Sequence, residues 1–197
     1  MPPKLGLTFS EIMTGGFALG AADPAAGAKQ GSAQNSQLSL HCDVTIDNLQ
    51  SFVDDPQHPG RLDCTVDFPP FGAGIPCEPG TFNLFRAANT AGERWMMYQC
   101  GFAAKGRSYR IVGRKIVQHG HAAEVLHQIT TLYTLLHQGD AASGATCGAG
   151  TLHLGAKSIV DLTKTLHVTN AQNHFEVLQG LGMYLKLFLG ELWQTYI

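Results

Sequence analysis

Leu38, Leu40, Cys42, Val44 and Ile46 alternate without a break with Ser39, His41, Asp43, Thr45 and Asp47. Successive side chains of a strand point to opposite faces, so a period of two places one set against a core and the other in water. Leu62, Cys64, Val66 and Phe68 repeat the pattern against Asp63, Thr65 and Asp67, and Pro69-Pro70 stops it. Two half-buried strands with acidic outer faces are thereby placed.

The turn-rich 71–80 leads to strands over 81–88, 94–103 and 107–118, joined at 89–93 and at Lys105-Gly106. Connections this short cannot make a parallel crossover, so these strands run antiparallel. Trp95, Met96, Met97 and Tyr98 are apolar on both faces, as are 132–136, so something covers both sides of the sheet there. Further strands over 146–154 and 161–168 bring the number to about eight, with turns spaced as in a sandwich or barrel. The 23 glycines and 9 prolines agree with many short elements.

At the ends of the chain the pattern changes. A short apolar piece, 5–13, precedes 15–37, whose Gly, Ala, Ser, Asn and Gln read as a long loop or a mobile cover. Near the C-terminus Phe175, Leu178, Leu181, Gly182, Leu185, Phe188, Leu189, Leu192 and Tyr196 fall on one side of a helix capped by Asn170 or Asn173, and that side is expected to pack on the sheet. Met183 and Leu187 interrupt the polar side, which suits a homodimer contact or two tolerated exposed apolar residues. Gly182 is the expected point of close approach. The expected fold is mainly β: an antiparallel β-barrel of about eight strands with a long C-terminal α-helix. Residues 1–197 form a single domain, divided into a flexible Gly/Ala-rich loop (14–37), the β-barrel (38–168) and the C-terminal helix (170–197).

Charge narrows the partners. Thirteen Lys and Arg against 15 Asp and Glu give a formal charge of -2, which exerts little pull on nucleic acid or an anionic membrane. No stretch approaches the ~18 consecutive apolar residues of a transmembrane segment, and 1–7 lack the apolar run of a signal peptide. Five cysteines, 42, 64, 77, 100 and 147, are widely spaced with no Cys-x-x-Cys pair, so a reducing cytoplasm is the expected compartment.

Several segments carry a resemblance. Phe9-x-Glu11-x-Met13-x-Gly15, Ile46-x-Asn48-Leu49-x-x-Phe52-x-x-Asp55-Pro56-x-His58 and Gly80-x-Phe82-Asn83-Leu84-Phe85 are three of them. Gly113-x-Lys115-x-Val117 before Thr130-Thr131-Leu132, and the closing Phe188-Leu189-Gly190-Glu191-Leu192-Trp193-x-x-Tyr196, are the others. Their order resembles a β-rich accessory domain of bacterial cholesterol-oxidase-like flavoproteins in the glucose-methanol-choline group, some of which are fused to an α/β-hydrolase domain. The resemblance implies association with lipid or sterol metabolism. It implies no flavin here, because no Gly-x-Gly-x-x-Gly opens a helix after a strand, and the hydrolase elbow Gly-x-Ser-x-Gly is also missing. No cofactor is expected.

Two constellations remain. His119, His121 and Glu124, after Gly113, partly mimic the first cupin metal motif, but the spacing to Glu124 is short and no second motif follows. Gly120 makes a turn there, in which the histidines are solvated. The stronger expectation is a barrel that holds a small hydrophobic molecule, a lipid, sterol or isoprenoid. Trp95, Met97, Phe102, Tyr109 and Tyr133 are its expected liners, and Tyr98 or His137 its polar anchors. Arg110, Arg114 and Lys115 lie on the same central strands, the two arginines sharing an outward face. A barrel of this kind serves as a binding module or, with one internal acid or base, as an isomerase or cyclase, and the sequence leaves catalysis open.

Overall fold

A computed structural model describes residues 4–88, 90, 92–118, 120–139, 144–155 and 164–194. Eight strands close into an antiparallel barrel: β1 (Gly6–Leu19), β2 (Gln37–Ile46), β3 (Pro59–Phe68), β5 (Gly80–Ala87), β6 (Arg94–Ala104), β7 (Arg107–Val117), β8 (Thr131–Gln138) and β9 (Thr146–Leu154), with β9 pairing back onto β1. The short β4 (Gly72–Pro76) adds to β3, and β10 (His167–Thr169) adds to β1. Four helices lie wholly among the described residues: α1 (Pro24–Ala33), α2 (Leu49–Asp54), α3 (Ala122–Thr130) and α4 (His174–Gln194).

On β2 and β3 the inward phase is the apolar phase of the sequence. Leu38, Leu40, Cys42, Val44 and Ile46 are all buried on β2, and Leu62, Cys64, Val66 and Phe68 on β3. The hairpin between β6 and β7 turns through Lys105 (φ 50°) and Gly106 (φ 72°), the two left-handed residues that a tight turn matched to strand twist requires. One end of the barrel is plugged by rings. Phe17 meets Phe68 at 5.3 Å, and Phe71 meets Phe68 at 5.4 Å and Tyr109 at 4.7 Å. Phe102 stacks on Tyr109 at 5.6 Å.

The barrel has eight strands, as expected, with one change of membership. The opening apolar piece belongs to the fourteen-residue β1, which pairs with both β2 and β9. Of the strand expected at 161–168, residues 161–163 lie outside those described, and its end contributes to the three-residue β10. The expected loop over 14–37 is also different: it holds the end of β1, the helix α1 and the first residue of β2. Asp23 caps α1 by accepting a bond from Ala26 N at 2.8 Å, and Pro24 occupies the first turn, where its missing N–H costs nothing. The helix lies directly against the barrel wall, because a Cβ at Gly27 would fall 2.1 Å from Ala149 O and one at Gly31 would fall 2.2 Å from Phe17 N. Glycines that lower helix propensity are here what lets the helix dock. Gly31→Val is therefore expected to lift α1 and cost about 2–3 kcal/mol, read as a lowered urea midpoint.

The C-terminal helix forms where the sequence places it, with Asn173 Oδ1 accepting from Glu176 N at 3.0 Å, but its packing face is turned. Tyr184 is buried, and Met183, Leu187 and Phe188 pack on the barrel core, whereas Phe175, Leu178, Leu185 and Leu189 are exposed. The two residues expected at a dimer contact thus face the barrel. Apolar residues occur around most of this helix, so periodicity alone does not choose a side. The choice is made by tertiary contacts: Gly180, not Gly182, makes the close approach, against Val168 and Leu49. Tyr184 and Phe188 reach Phe9 and Phe85 through ring contacts, and Arg94 binds Glu191 at 3.0 Å.

Candidate functional site

Among the described residues two charged side chains stand in the inward, apolar phase. On β1, Leu7, Phe9, Met13 and Phe17 point inward, and Glu11 occupies the same phase. On β7, Tyr109, Ile111 and Val117 do so, and Lys115 shares their phase. A carboxylate and an ammonium inside a barrel are each expensive to desolvate, and they are tolerable only together. Lys115 Nζ donates to Glu11 Oε2 at 2.9 Å, with side-chain exposures of 3% and 1%. Glu11 Oε1 accepts the Tyr98 hydroxyl at 2.5 Å, and the Lys115 ammonium stands 4.9 Å from the centre of the Tyr98 ring.

Above this group lies a cavity of about 260 Å³. Phe9, Phe82, Leu84, Met96 and Leu154 form its barrel walls, with Glu11, Tyr98 and Lys115 as the polar part. Tyr184, Leu185 and Phe188 of α4 and Leu126, Ile129 and Thr130 of α3 cover it, with Leu166 beside them. Leu126 and Leu185 line the cavity and are also exposed, which sets the mouth between α3 and α4. Burial, then the Glu11 charge, pushes the Tyr98 hydroxyl well above its ordinary value, and the same two causes raise Tyr184. Both phenols therefore stay protonated at neutral pH, and that of Tyr98 donates to Glu11.

Of the seven residues expected to contact a ligand, Tyr98 lines this cavity. Phe102 and Tyr109 point into the barrel at the opposite, plugged end. Trp95 and Met97 alternate with the inward Met96 and Tyr98 and so lie on the outer face, where Arg114 stacks 4.5 Å above the Trp95 ring. Tyr133 shares the outer phase of β8, and His137 is held by its Nδ1 against Gly144 O at 2.9 Å. Among the expected metal residues, His119 lies outside the described residues. His121 begins α3, where its N–H donates to Glu124 Oε2 at 3.0 Å, a reciprocal helix-start arrangement that occupies the carboxylate. Among the described residues no three of His, Cys, Asp or Glu converge on a metal position.

Glu11 and the inward turn of Lys115 escaped the sequence reading, although the signal is present. Each is a charged residue in the apolar phase of an alternating strand, a combination that demands a buried partner. The fold and site together define a closed eight-stranded antiparallel barrel with an apolar cavity and an internal ion pair. Comparison of the chain with protein-family models, curated proteins and solved structures finds no match in any of the three.

Proposed function

We propose that this chain binds a small, hydrophobic, uncharged molecule of lipid or isoprenoid character, and serves lipid or sterol metabolism in the accessory role that the resemblance to cholesterol-oxidase-like proteins suggests. The observation that carries the reading is the cavity: apolar walls with three polar groups gathered at one place. The charges there already balance. Glu11 and Lys115 neutralise each other and Tyr98 is a neutral phenol, so a bound carboxylate would add an unpaired charge, whereas an alcohol or carbonyl would accept a spare Lys115 N–H at no such cost. The size supports a slim ligand. Small-molecule pockets span ~300–1,000 Å³, so this space favours an acyl or short isoprenoid chain, its far end at the Leu126–Leu185 mouth, over a whole sterol.

Native mass spectrometry of protein purified from its own host is expected to show a co-purifying lipid-sized adduct. In titration, dodecanol is expected to bind more tightly than dodecanoate, and Leu84→Trp, which fills the cavity, to weaken dodecanol by about tenfold or more, worth about 1.4 kcal/mol. Absence of both an adduct and saturable dodecanol binding overturns the reading.

One observation favours a catalytic variant of the same site, an isomerase or cyclase: the Glu11 carboxylate and two protonated phenols, Tyr98 and Tyr184, line a largely apolar cavity. If Glu11 moves protons, a bound long-chain ketone exchanges its α-hydrogens in deuterated water and Glu11→Gln abolishes the exchange. No exchange above the protein-free rate leaves a binding module.

A further inference from the structure

Four of the five cysteines, far apart in sequence, meet in the barrel. Cys42 and Cys64 are register partners on β2 and β3, both point inward, and their sulfurs are 3.3 Å apart. Cys100 is buried and inward on β6, next to Gly101, whose carbonyl holds the segment that follows Cys77. Cys77 lies in the link between β4 and β5. Its N–H bonds Cys64 O at 2.9 Å, and the next N–H, of Glu78, bonds Gly101 O at 2.8 Å, which lays this link between β3 and β6. Cys42, Cys64, the Cys77 link and Cys100 thus lie side by side in the wall, and the influence of the Cys100 thiol on both Cys64 and Cys77 orders them as a row, Cys77, Cys100, Cys64, Cys42. Cys77 is partly exposed and the other three are buried. The far end of the row adjoins the cavity group, since Cys42 is also the register partner of Glu11.

We propose that this row is a redox site that a peroxide-class oxidant converts into two disulfides, Cys77–Cys100 and Cys42–Cys64, with Cys77 as the point of entry. The Cys77 sulfur attacks a peroxide oxygen, the O–O bond breaks, and a sulfenic acid and one water result. The Cys100 sulfur then displaces the hydroxyl as a second water and forms Cys77–Cys100. Exchange carries the bond inward. Cys64 attacks the Cys100 sulfur and releases the Cys77 thiol, then Cys42 attacks the Cys64 sulfur and releases the Cys100 thiol. A second peroxide re-forms Cys77–Cys100. Four thiols and two peroxides give two disulfides and four waters.

Geometry and charge both favour this product. Register partners on antiparallel strands have Cα atoms ~4.5–5.5 Å apart, within the ~4.4–6.8 Å that disulfides span. A metal held by these sulfurs would need thiolates, and a four-thiolate zinc site would leave net negative charge in an apolar interior, whereas a disulfide is neutral. Burial pushes the Cys42 thiol up, and the hydrogen bond with Cys100, then burial, pushes Cys77 up, so the reaction is slow at neutral pH and accelerates as pH rises.

The test treats the full chain with hydrogen peroxide at mildly alkaline pH, alkylates it under denaturing conditions and maps peptides without reduction. Expected are Cys42–Cys64 and Cys77–Cys100 cross-links, with Cys147 alkylated. Cys77→Ser is expected to abolish the second link and slow the first by about tenfold, whereas Cys147→Ser leaves both unchanged. If the Cys77 variant does not fold, a time course of the unmodified chain decides: links that include Cys100 are expected to precede Cys42–Cys64. Four thiols still open to alkylation, links through Cys147, Cys42–Cys64 appearing first, or a folded Cys77→Ser chain that oxidises at the original rate each overturns the proposal.

Discussion

Lys115→Met is expected to destabilise the chain by about 3–5 kcal/mol, because it strands the Glu11 carboxylate in the barrel without its cation. The methionine fills much the same space, so the loss reports charge and not volume. Denaturant titration should show a lowered midpoint with an unchanged slope, the mark of lost stability in an intact two-state fold. The partner variant separates the causes. Glu11→Gln with Lys115→Met removes both charges and leaves an amide oxygen for the Tyr98 hydroxyl, so the double variant is expected within about 1 kcal/mol of the original, since buried pairs cancel much of their own desolvation. A single variant that loses less than about 1 kcal/mol, or a double variant as weak as the single one, would show that the pair does not matter in this way.

The alternation in β2 and β3, with the short turns that join β5, β6 and β7, made the barrel legible, because burial on one face leaves a period of two and connections that short force antiparallel neighbours. Three features were not legible, each for a physical reason. Helix α1 has no apolar stripe: it docks by backbone through Gly27 and Gly31, and glycines carry a loop signal until their neighbours are known. Helix α4 is apolar nearly all round, so its buried side depends on Gly180 meeting Val168 and Leu49, a contact across the chain. In β1 the apolar phase is broken at Glu11, which hid both the strand's place in the barrel and the site, because the charge that compensates Glu11 lies 104 residues away at Lys115. The same non-locality hides the thiol row. Widely spaced cysteines read as unrelated until β2, β3 and β6 bring Cys42, Cys64 and Cys100 inside one ring of strands.

Closure of that ring bears on a second large effect, Phe17→Ala, expected to cost about 4–5 kcal/mol, the upper part of the range for losing a buried aromatic ring. Phe17 is fully buried, its ring 5.3 Å from Phe68 in the plug opposite the cavity. Where a core can collapse into a vacated space, part of the cost is recovered. Here the walls are strands hydrogen-bonded around a closed barrel, with β1 itself bonded to both β2 and β9, so they cannot move inward without breaking ladders. The structure also indicates where the volume can be returned. A Cβ at Gly148 would meet the Phe17 ring first, 2.8 Å from Cε1, so a side chain there projects into the space that the ring fills. Gly148→Leu alone is expected to overpack and destabilise by about 1–3 kcal/mol. Combined with Phe17→Ala it should restore about half of the loss, a coupling of roughly 2 kcal/mol or more in a double-mutant cycle. Because the ion pair and the cavity lie toward the other end of the barrel, dodecanol binding should survive in the repaired variant. Additive losses at 17 and 148 would mean that the two positions do not share the plug.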